Sequence, residues 1–313
     1  MPSDAATTAF SHLGGSLNKD EAFAVAVSGG PDSLALLLLA HDALGERILA
    51  LTVDHGLRTA SADEAAMVAG VCARLGVPHT TLRWEGPKPR ANLQTAARTA
   101  RYRLMGNWCA ANSVAWLATA HHADDQAETL LMRLARGSGA GGLAGIRALR
   151  PLGNGVTLVR PLLGVRRSDL RAVVDAAGLT PVDDPANRDP RYDRSAARTL
   201  LAANPWLDPI RLAASAAYLG EADAALDWTA ELAWASRADT DDAVSLDTAE
   251  LPDELRRRLV ARALAHLGAT SDGPALDRLI ARLAAGGTAT LGSVQGRGGG
   301  RWTFRRVRLR VNP

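Results

Sequence analysis

Short apolar strand segments alternate with helical segments through the first half of the chain, and this alternation constrains the fold more than any other feature. The strand segments are Phe23–Val27, Ile48–Val53, His79–Trp84 and Val114–Ala120. The helical stretches that follow them are Ser33–Leu44, Ser61–Leu75, Asn92–Ala111 and Asp124–Arg136. Strands separated in this way pair in parallel, with the helices covering both faces of the sheet. Ser61 and Glu64 have the spacing of a capping box at the start of one helix. Gly137 stops another. Val156–Val159 is expected to add an edge strand, and Ser168 to cap a further helix reaching Ala177. The glycine-rich stretch Gly137–Gly145 reads as a mobile loop, and Asp183–Pro190, rich in Asp, Asn and Pro, as another loop. A short helix over Arg194–Ala203 closes this half.

The pattern then changes. Pro209–Arg237, Pro252–Leu267 and Pro274–Ala285 read as helices, and Thr288–Val311 as two or three short strands around Gly296–Gly300. The expected architecture is α/β: a parallel-sheet, Rossmann-like domain over 1–207, then a small, mainly helical domain over 208–313 that ends in a basic hairpin. At 47% apolar residues the chain can build real cores, which excludes wholesale disorder. The longest aliphatic run, Leu34–Ala40, is far short of the roughly 20 residues of a membrane span. No basic stretch followed by an apolar one opens the sequence, so no secretory signal is expected. Cys72 and Cys109 stand alone, without zinc spacing or a CxxC pair. These features point to a cytoplasmic protein with two buried thiols and no membrane partner. A homodimer is an assembly such a chain could form.

Net charge is only +3, but its distribution is uneven. Ala214–Leu255 holds eleven acids and one base, Arg237; the remainder holds twelve arginines and two acids, Asp272 and Asp277. The final stretch, Thr288–Pro313, carries six arginines and no acid. Arg301, Arg305 and Arg306 stand in this stretch beside Arg297, Arg308 and Arg310, an electrostatic footprint for a polyanion.

Between the first strand and first helix runs Ser28-Gly29-Gly30-Pro31-Asp32-Ser33. Such a turn lies at the C-terminal edge of a parallel sheet, where open α/β folds bind ligands. The glycines let the backbone turn tightly, and the helix start supplies unpaired N–H groups, which together suit phosphate or pyrophosphate. Ser28 and Ser33 can add hydroxyl donors. Asp32 would repel phosphate directly, so its expected part is to hold a bridging Mg²⁺. No Gly-Lys-Ser/Thr is present, so this is not a Walker loop. The formal GxGxxG at Gly137–Gly142 follows a helix, the wrong context for a dinucleotide site. Asp54 and His55 end the second strand, where they could meet a nucleotide. Asp125 and Glu128, three apart, share one helix face; a carboxylate pair there can hold Mg²⁺, bind an ammonium or act as a base.

The loop resembles the pyrophosphate (PP) loop of the N-type ATP pyrophosphatases, which pass through an adenylated substrate. Five further segments fall in family order. They are Val53–Arg58 (VDHGLR), Ala97–Tyr102 (ARTARY), the stretch from Thr119 to Gly139 (TAHHADDQAETLLMRLARGSG), Arg160–Leu163 (RPLL) and Asp184–Arg194. This series resembles the tRNA(Ile)-lysidine synthetase family over about residues 20 to 200, in its short form. Ala186 stands where that family usually has Ser or Thr, and Ser195 where it has Asn. The resemblance implies ATP-dependent ligation of free L-lysine to C2 of the wobble cytidine in the CAU anticodon of tRNA(Ile), through an adenylated base. It implies ATP on Ser28–Ser33 with Asp54 and His55, and Mg²⁺ on Asp32 and Asp125. Catalytic work would fall to Asp32, Asp125, Glu128 and Arg98. Contacts to substrate and tRNA would fall to His122, Arg101, Arg194 and the terminal arginines. Two rival readings are a tRNA thiolase of the same superfamily, which wants paired cysteines, and a non-catalytic tRNA-binding module, against which the intact acidic set argues.

Overall fold

The computed structural model describes residues 21–56, 60–86, 88–89, 91–182, 193–240 and 243–307. Leu57 and Arg58, most of the Asp184–Arg194 motif, and Arg308 and Arg310 lie outside them. The chain divides into two compact units, one ending at Gly220 and the other beginning at Glu221.

The first unit holds a six-stranded sheet in the order β3-β2-β1-β4-β6-β5. Its strands are β1 (Phe23–Ala26), β2 (Ile48–Asp54), β3 (His79–Arg83), β4 (Trp116–Ala118), β5 (Leu149–Gly153) and β6 (Val156–Val159). All neighbours pair in parallel except β5, which runs antiparallel to β6. Val156–Val159 is therefore an interior strand and not the edge. The edge is β5, whose Leu149-Arg150-Pro151 is exposed and carries a proline, a residue sheets tolerate at their edges.

The helices are α1 (Pro31–Leu44), α2 (Ala60–Leu75), α3 (Leu93–Ala111), α4 (Ala123–Ala135), α5 (Ala140–Leu143), α6 (Arg167–Ala176) and α7 (Asp193–Ala203). Side chains alternate between the two faces of the sheet. Phe23 and Val25 of β1, with Ile48 and Ala50 of β2, face α1, α2 and α6. Ala24 and Leu51 face α3 with Met105 and Cys109. Cys72 of α2 is buried in the first layer, and Cys109 in the second. Burial raises both thiols to about 11. Leu34, Leu36 and Leu37 of α1 are fully buried, each worth about 1.5–3 kcal/mol relative to exposure.

Two expected caps take other forms. Ser61 lies inside α2, which begins at Ala60, and its hydroxyl serves Asp54. Ser168 lies inside α6, and its hydroxyl turns to Asp169. The N-terminus of α6 is closed instead from α4, where Asp124 Oδ2 accepts from the Arg167 amide at 2.8 Å. The expected mobile loop at Gly137–Gly145 contains α5. Arg133 Nη1 fastens it by donating to the carbonyls of Gly142 (2.5 Å) and Gly145 (2.9 Å), and Gln126 bonds both ways with Ile146.

The second unit is built from the C-terminal part of α8 (Pro209–Arg237), α9 (Asp253–His266), α10 (Gly273–Ala284) and a five-stranded sheet in the order β7-β8-β11-β10-β9. The expected strands are β9 (Thr288–Leu291), β10 (Val294–Arg297) and β11 (Trp302–Arg306). Two more come from the acid-rich stretch: β7 (Ala238–Asp239) and β8 (Val244–Leu246). Trp302 and Phe304 of β11 point into a core with Leu246, Val260 and Leu283, whereas Thr303 and Arg305 face out.

Candidate active site

Strand order decides where a ligand can sit. β1 lies between β2 and β4, so the chain leaves one side of β1 after β3 and continues on the other at β4. Helices that follow β1 and β4 diverge there and open a crevice at the strands' carboxyl ends, the topological switch point. The loop after β1 is Ser28–Ser33, and the loop after β4 is Thr119–His122.

Gly29 adopts a positive φ of 85°, and a Cβ on it would meet Met67 Cε and Val182 Cγ2, each at 3.1 Å. Only glycine fits on both counts. Ser33 Oγ accepts from the Ser28 amide at 3.1 Å and donates to the Gly30 carbonyl at 3.0 Å, which folds the loop back on α1. Gly30 is the N-cap of α1, Pro31 follows it, and no side chain caps the helix. Its first-turn amides and dipole are thus available to an anion.

His122 N-caps α4 and is 4% exposed. Its Nε2 lies 3.6 Å from Asp32 Oδ2 and 3.6 Å from Asp125 Oδ2, and its Nδ1 3.5 Å from Asp124 Oδ2. Burial disfavours the charged ring, yet the adjoining Asp124 and Asp32, with Asp125, push His122 up to about 10. The ring is a cation holding carboxylates of α1 and α4 together. The Asp125 amide also approaches Nδ1, at 3.4 Å, but a protonated Nδ1 donates and cannot accept. The cap then rests on Asp125 Oδ2, which accepts from the His122 amide at 3.2 Å. Burial also works against the charge on Asp124, but His122 and the Arg167 amide hold its carboxyl below the ordinary range.

Glu128, one turn on from Asp125, is 2% exposed. Arg198 Nε donates to its Oε1 at 2.9 Å. Arg194 Nε stands 2.9 Å from Oε2 as an ion pair without hydrogen-bond alignment, which leaves that oxygen a buried acceptor with no hydrogen bond. Arg194 Nη2 also reaches Asp125 Oδ1 at 3.6 Å. Carboxylates and guanidiniums thus stand side by side, the paired charges a zwitterionic ligand needs.

Arg98 and Arg101 part company. Arg98 is exposed and stacks on Tyr102, with Arg150 at 4.7 Å from the same ring. Arg101 is half-buried, with Nη2 3.4 Å from His55 Nε2. Burial, then Arg101, lower His55 to about 4, so the ring is neutral; it lies edge-on to Trp84. Asp54 accepts from the Gly56 amide at 2.8 Å, and this bond, then Ser61, lowers its carboxyl. His121, beside His122, is half-buried and neutral. Burial lowers it to about 3 against Asp125, helped by Arg160, Arg98 and Arg194.

The site therefore assembles Asp32, His122, Asp125, Glu128 and Arg194 and places Asp54, His55 and Arg101 together at the end of β2. Three participants do not stand out in the sequence: Arg198, Asp124 and Arg167. Arg198 carries a readable signal, lying four residues after Arg194 on one helix face. The terminal arginines belong to the second unit. There Arg301 donates to the Arg237 carbonyl at 3.2 Å and to Ser245 Oγ at 3.1 Å, and Arg306 to the Leu267 carbonyl at 2.6 Å. Among the described residues Arg305 reaches only to Gln295 on the neighbouring β10, at 3.0 Å.

A family model described as a PP-loop domain matches residues 3–204. The tRNA(Ile)-lysidine synthase of Novosphingobium aromaticivorans is 48% identical over 288 residues, covering 90% of this chain and 88% of that protein. The chain belongs to the tRNA(Ile)-lysidine synthase family. A second member, from Zymomonas mobilis subsp. mobilis, is 45% identical over 290 residues, with 90% and 88% covered. The fold of this lysidine synthase family member is also that of the U34-tRNA thiolase NcsA from Methanococcus maripaludis, solved with its [4Fe-4S] cluster. That likeness has a TM-score of 0.54 at 17% identity and covers 66% of this chain and 74% of the other. Here the chain's two cysteines are buried in opposite layers of the sheet. No helix among the described residues is long and apolar enough to cross a membrane.

Proposed function

We propose that the chain joins free L-lysine to C2 of the wobble cytidine of tRNA(Ile) with a CAU anticodon, consuming ATP, in the cytoplasm. Family membership supports the overall reaction. The observation that carries the chemistry is the meeting, at one switch point, of an uncapped phosphate loop with the Asp32–His122–Asp125–Glu128–Arg194 cluster. The catalytic domain is proposed to span 1–207 and the tRNA-binding domain 208–313.

In the first step O2 of cytidine attacks the α-phosphorus of ATP, and pyrophosphate leaves with the bridging oxygen. The amides and hydroxyls of Ser28–Ser33 take up the charge that develops there. Asp54 and His55 hold the nucleoside end at β2. In the second step the ε-amine of lysine attacks C2, AMP departs with O2, and the amine's extra proton passes to a carboxylate. Asp125 and Glu128 are the candidate bases. Glu128 and Arg194, with Arg198 behind, offer both charge signs to the amino acid. Arg98 and Arg101 are assigned to phosphate or the RNA backbone. An anticodon loop presents unstacked bases, which lets C2 reach such a cleft.

Two carboxylates plus phosphate oxygens form the donor set that Mg²⁺ takes. Asp32, whose carboxylate meets His122 at 3.6 Å and Arg167 at 3.9 Å, and Asp125, through the oxygen not held in the cap, fit it. When bound it supplies charge neutralisation to the phosphates. The test is incubation with ATP, labelled lysine and unmodified tRNA(Ile), followed by nucleoside analysis. Wild type should form lysidine and AMP. Asp32→Asn should keep the fold and reduce AMP formation at least about a hundredfold, comparable with removal of one strong transition-state donor. Near-normal turnover in that variant would sink the role of Asp32, and no lysidine from wild type would sink the function.

A further inference from the structure

The phosphate loop has an electrostatic deficit. Its six residues include no cation, and its one charged side chain, Asp32, is negative. The chain's only lysines are Lys19 and Lys88, neither in the loop, so no Walker-type lysine answers the phosphates. Yet triphosphate cleavage leaves a highly charged anion that must be stabilised and released. Beyond His122, which pairs with Asp32, and the Mg²⁺ proposed there, a side-chain cation free to meet the phosphates has to come from elsewhere in the fold.

The structure holds one well placed. A cleft of about 440 Å³ beside the loop is lined by Pro31, Asp32, Asp124, Arg167, Ser168 and Arg171. Arg167 Nε stands 3.9 Å from Asp32 Oδ1, and among the described residues its guanidinium makes no hydrogen bond. The side chain is 42% exposed. Its backbone is fixed, because the Arg167 amide is bound to Asp124. That bond also takes the first amide of α6 out of anion binding. Among the described residues Arg171, one turn on, is held only by an exposed pair with Asp175 at 2.8 Å, and exposed pairs of this kind contribute little. A phosphate could take Arg171 from it.

We propose that Arg167, assisted by Arg171 and Ser168, binds the departing pyrophosphate of the reaction described above. The inference rests on that reading. In the step, a bond forms between cytidine O2 and the α-phosphorus, and the bond from that phosphorus to the bridging oxygen breaks. The electron pair stays on the pyrophosphate, whose new charge develops on the loop side of the cleft. Arginine suits this task because its planar fork can engage two oxygens at once.

The probe is inorganic pyrophosphate, titrated calorimetrically with Mg²⁺ into wild type, Arg167→Ala, Arg167→Lys and Arg171→Ala. The same variants are assayed for lysidine formation with added pyrophosphate as inhibitor. Arg167→Ala should weaken pyrophosphate binding and inhibition about tenfold and raise the KM for ATP, with the KM for lysine unmoved. Arg167→Lys should recover part of that affinity, and Arg171→Ala should be less impaired than Arg167→Ala. Wild-type pyrophosphate affinity in Arg167→Ala would overturn the inference, as would parallel increases in the KM for ATP and for lysine, which mark a purely structural role. The direct titration needs no tRNA chemistry. A wild type that binds pyrophosphate but makes no lysidine would overturn the function and leave Arg167 standing.

Discussion

At the scale of single residues, the site is governed by where charge is tolerated. His121 and His122 are neighbours of one type, yet one is held neutral and the other charged. Burial opposes charge on both rings; at His122 it is overcome by Asp124, Asp32 and Asp125, whereas at His121 burial prevails because Asp125 is offset by Arg160, Arg98 and Arg194. A sequence shows the two histidines and the acids but not which ring faces which group, so a substrate or tRNA contact is the natural expectation for His122. The structure buries it among Asp32, Asp124 and Asp125. His55 offers a test of the same logic by pH. Its folded-state value is about 4, below the ordinary 6.5, so between those limits the unfolded chain binds more protons than the native one. Its contribution is fully present above pH 6.5 and is lost as pH falls toward 4. Between pH 6.5 and 5 wild type should lose up to about 2 kcal/mol that His55→Asn does not. Urea melts of both proteins at the two pH values check this, and identical losses would show that the ring is not held neutral by the fold.

At the scale of elements, the alternation of strands and helices is readable because period and breakers agree along the chain. The departures fall where a tertiary partner overrides a local signal. Ser61 and Ser168 look like caps, but Asp54 recruits one and a carboxylate from α4 replaces the other. The edge strand β5 escapes a reading of the sequence because Leu149–Gly153 has a proline, two exposed residues preceding it and no alternation. The docking of α7 on α4 is the least readable feature, since it joins two segments through Glu128, Arg194 and Arg198. Glu128→Ala should loosen it. The arginines are about 40% exposed and can be resolvated, so the cost should be about 1–2 kcal/mol, below the 3–5 typical when a fully buried pair is broken. Glu128→Gln, which keeps an acceptor for Arg198, should be milder. Thermal melts with hydrogen exchange over Asp193–Ala203 measure both, and a wild-type melting curve and exchange rate for Glu128→Ala would show that α7 is held by other residues.

At the scale of the whole molecule, charge is legible in amount but not in arrangement. The acid-rich and arginine-rich stretches of the second unit largely answer each other. Arg258 meets Asp223, Asp227 and Glu254, Arg262 meets Glu231, and Arg257 meets Asp277. Arg301 and Arg306 are spent on backbone carbonyls. Among the described terminal arginines this leaves Arg297 and Arg305 as the better candidates for RNA phosphate. Replacing both with Ala should weaken tRNA binding and flatten its salt dependence by about 0.7–0.9 for each phosphate no longer neutralised. A salt titration of binding decides it: an unchanged slope and affinity would place the RNA-binding surface outside these two side chains. The two thiols carry a different consequence. Each layer of the first unit's sandwich contains one cysteine, sealed from solvent and held in its unreactive protonated form. Alkylation must therefore wait for an opening of the layer concerned. Without any engineered label, the chain reports separately how often the face beside the phosphate loop breathes and how often the opposite face does.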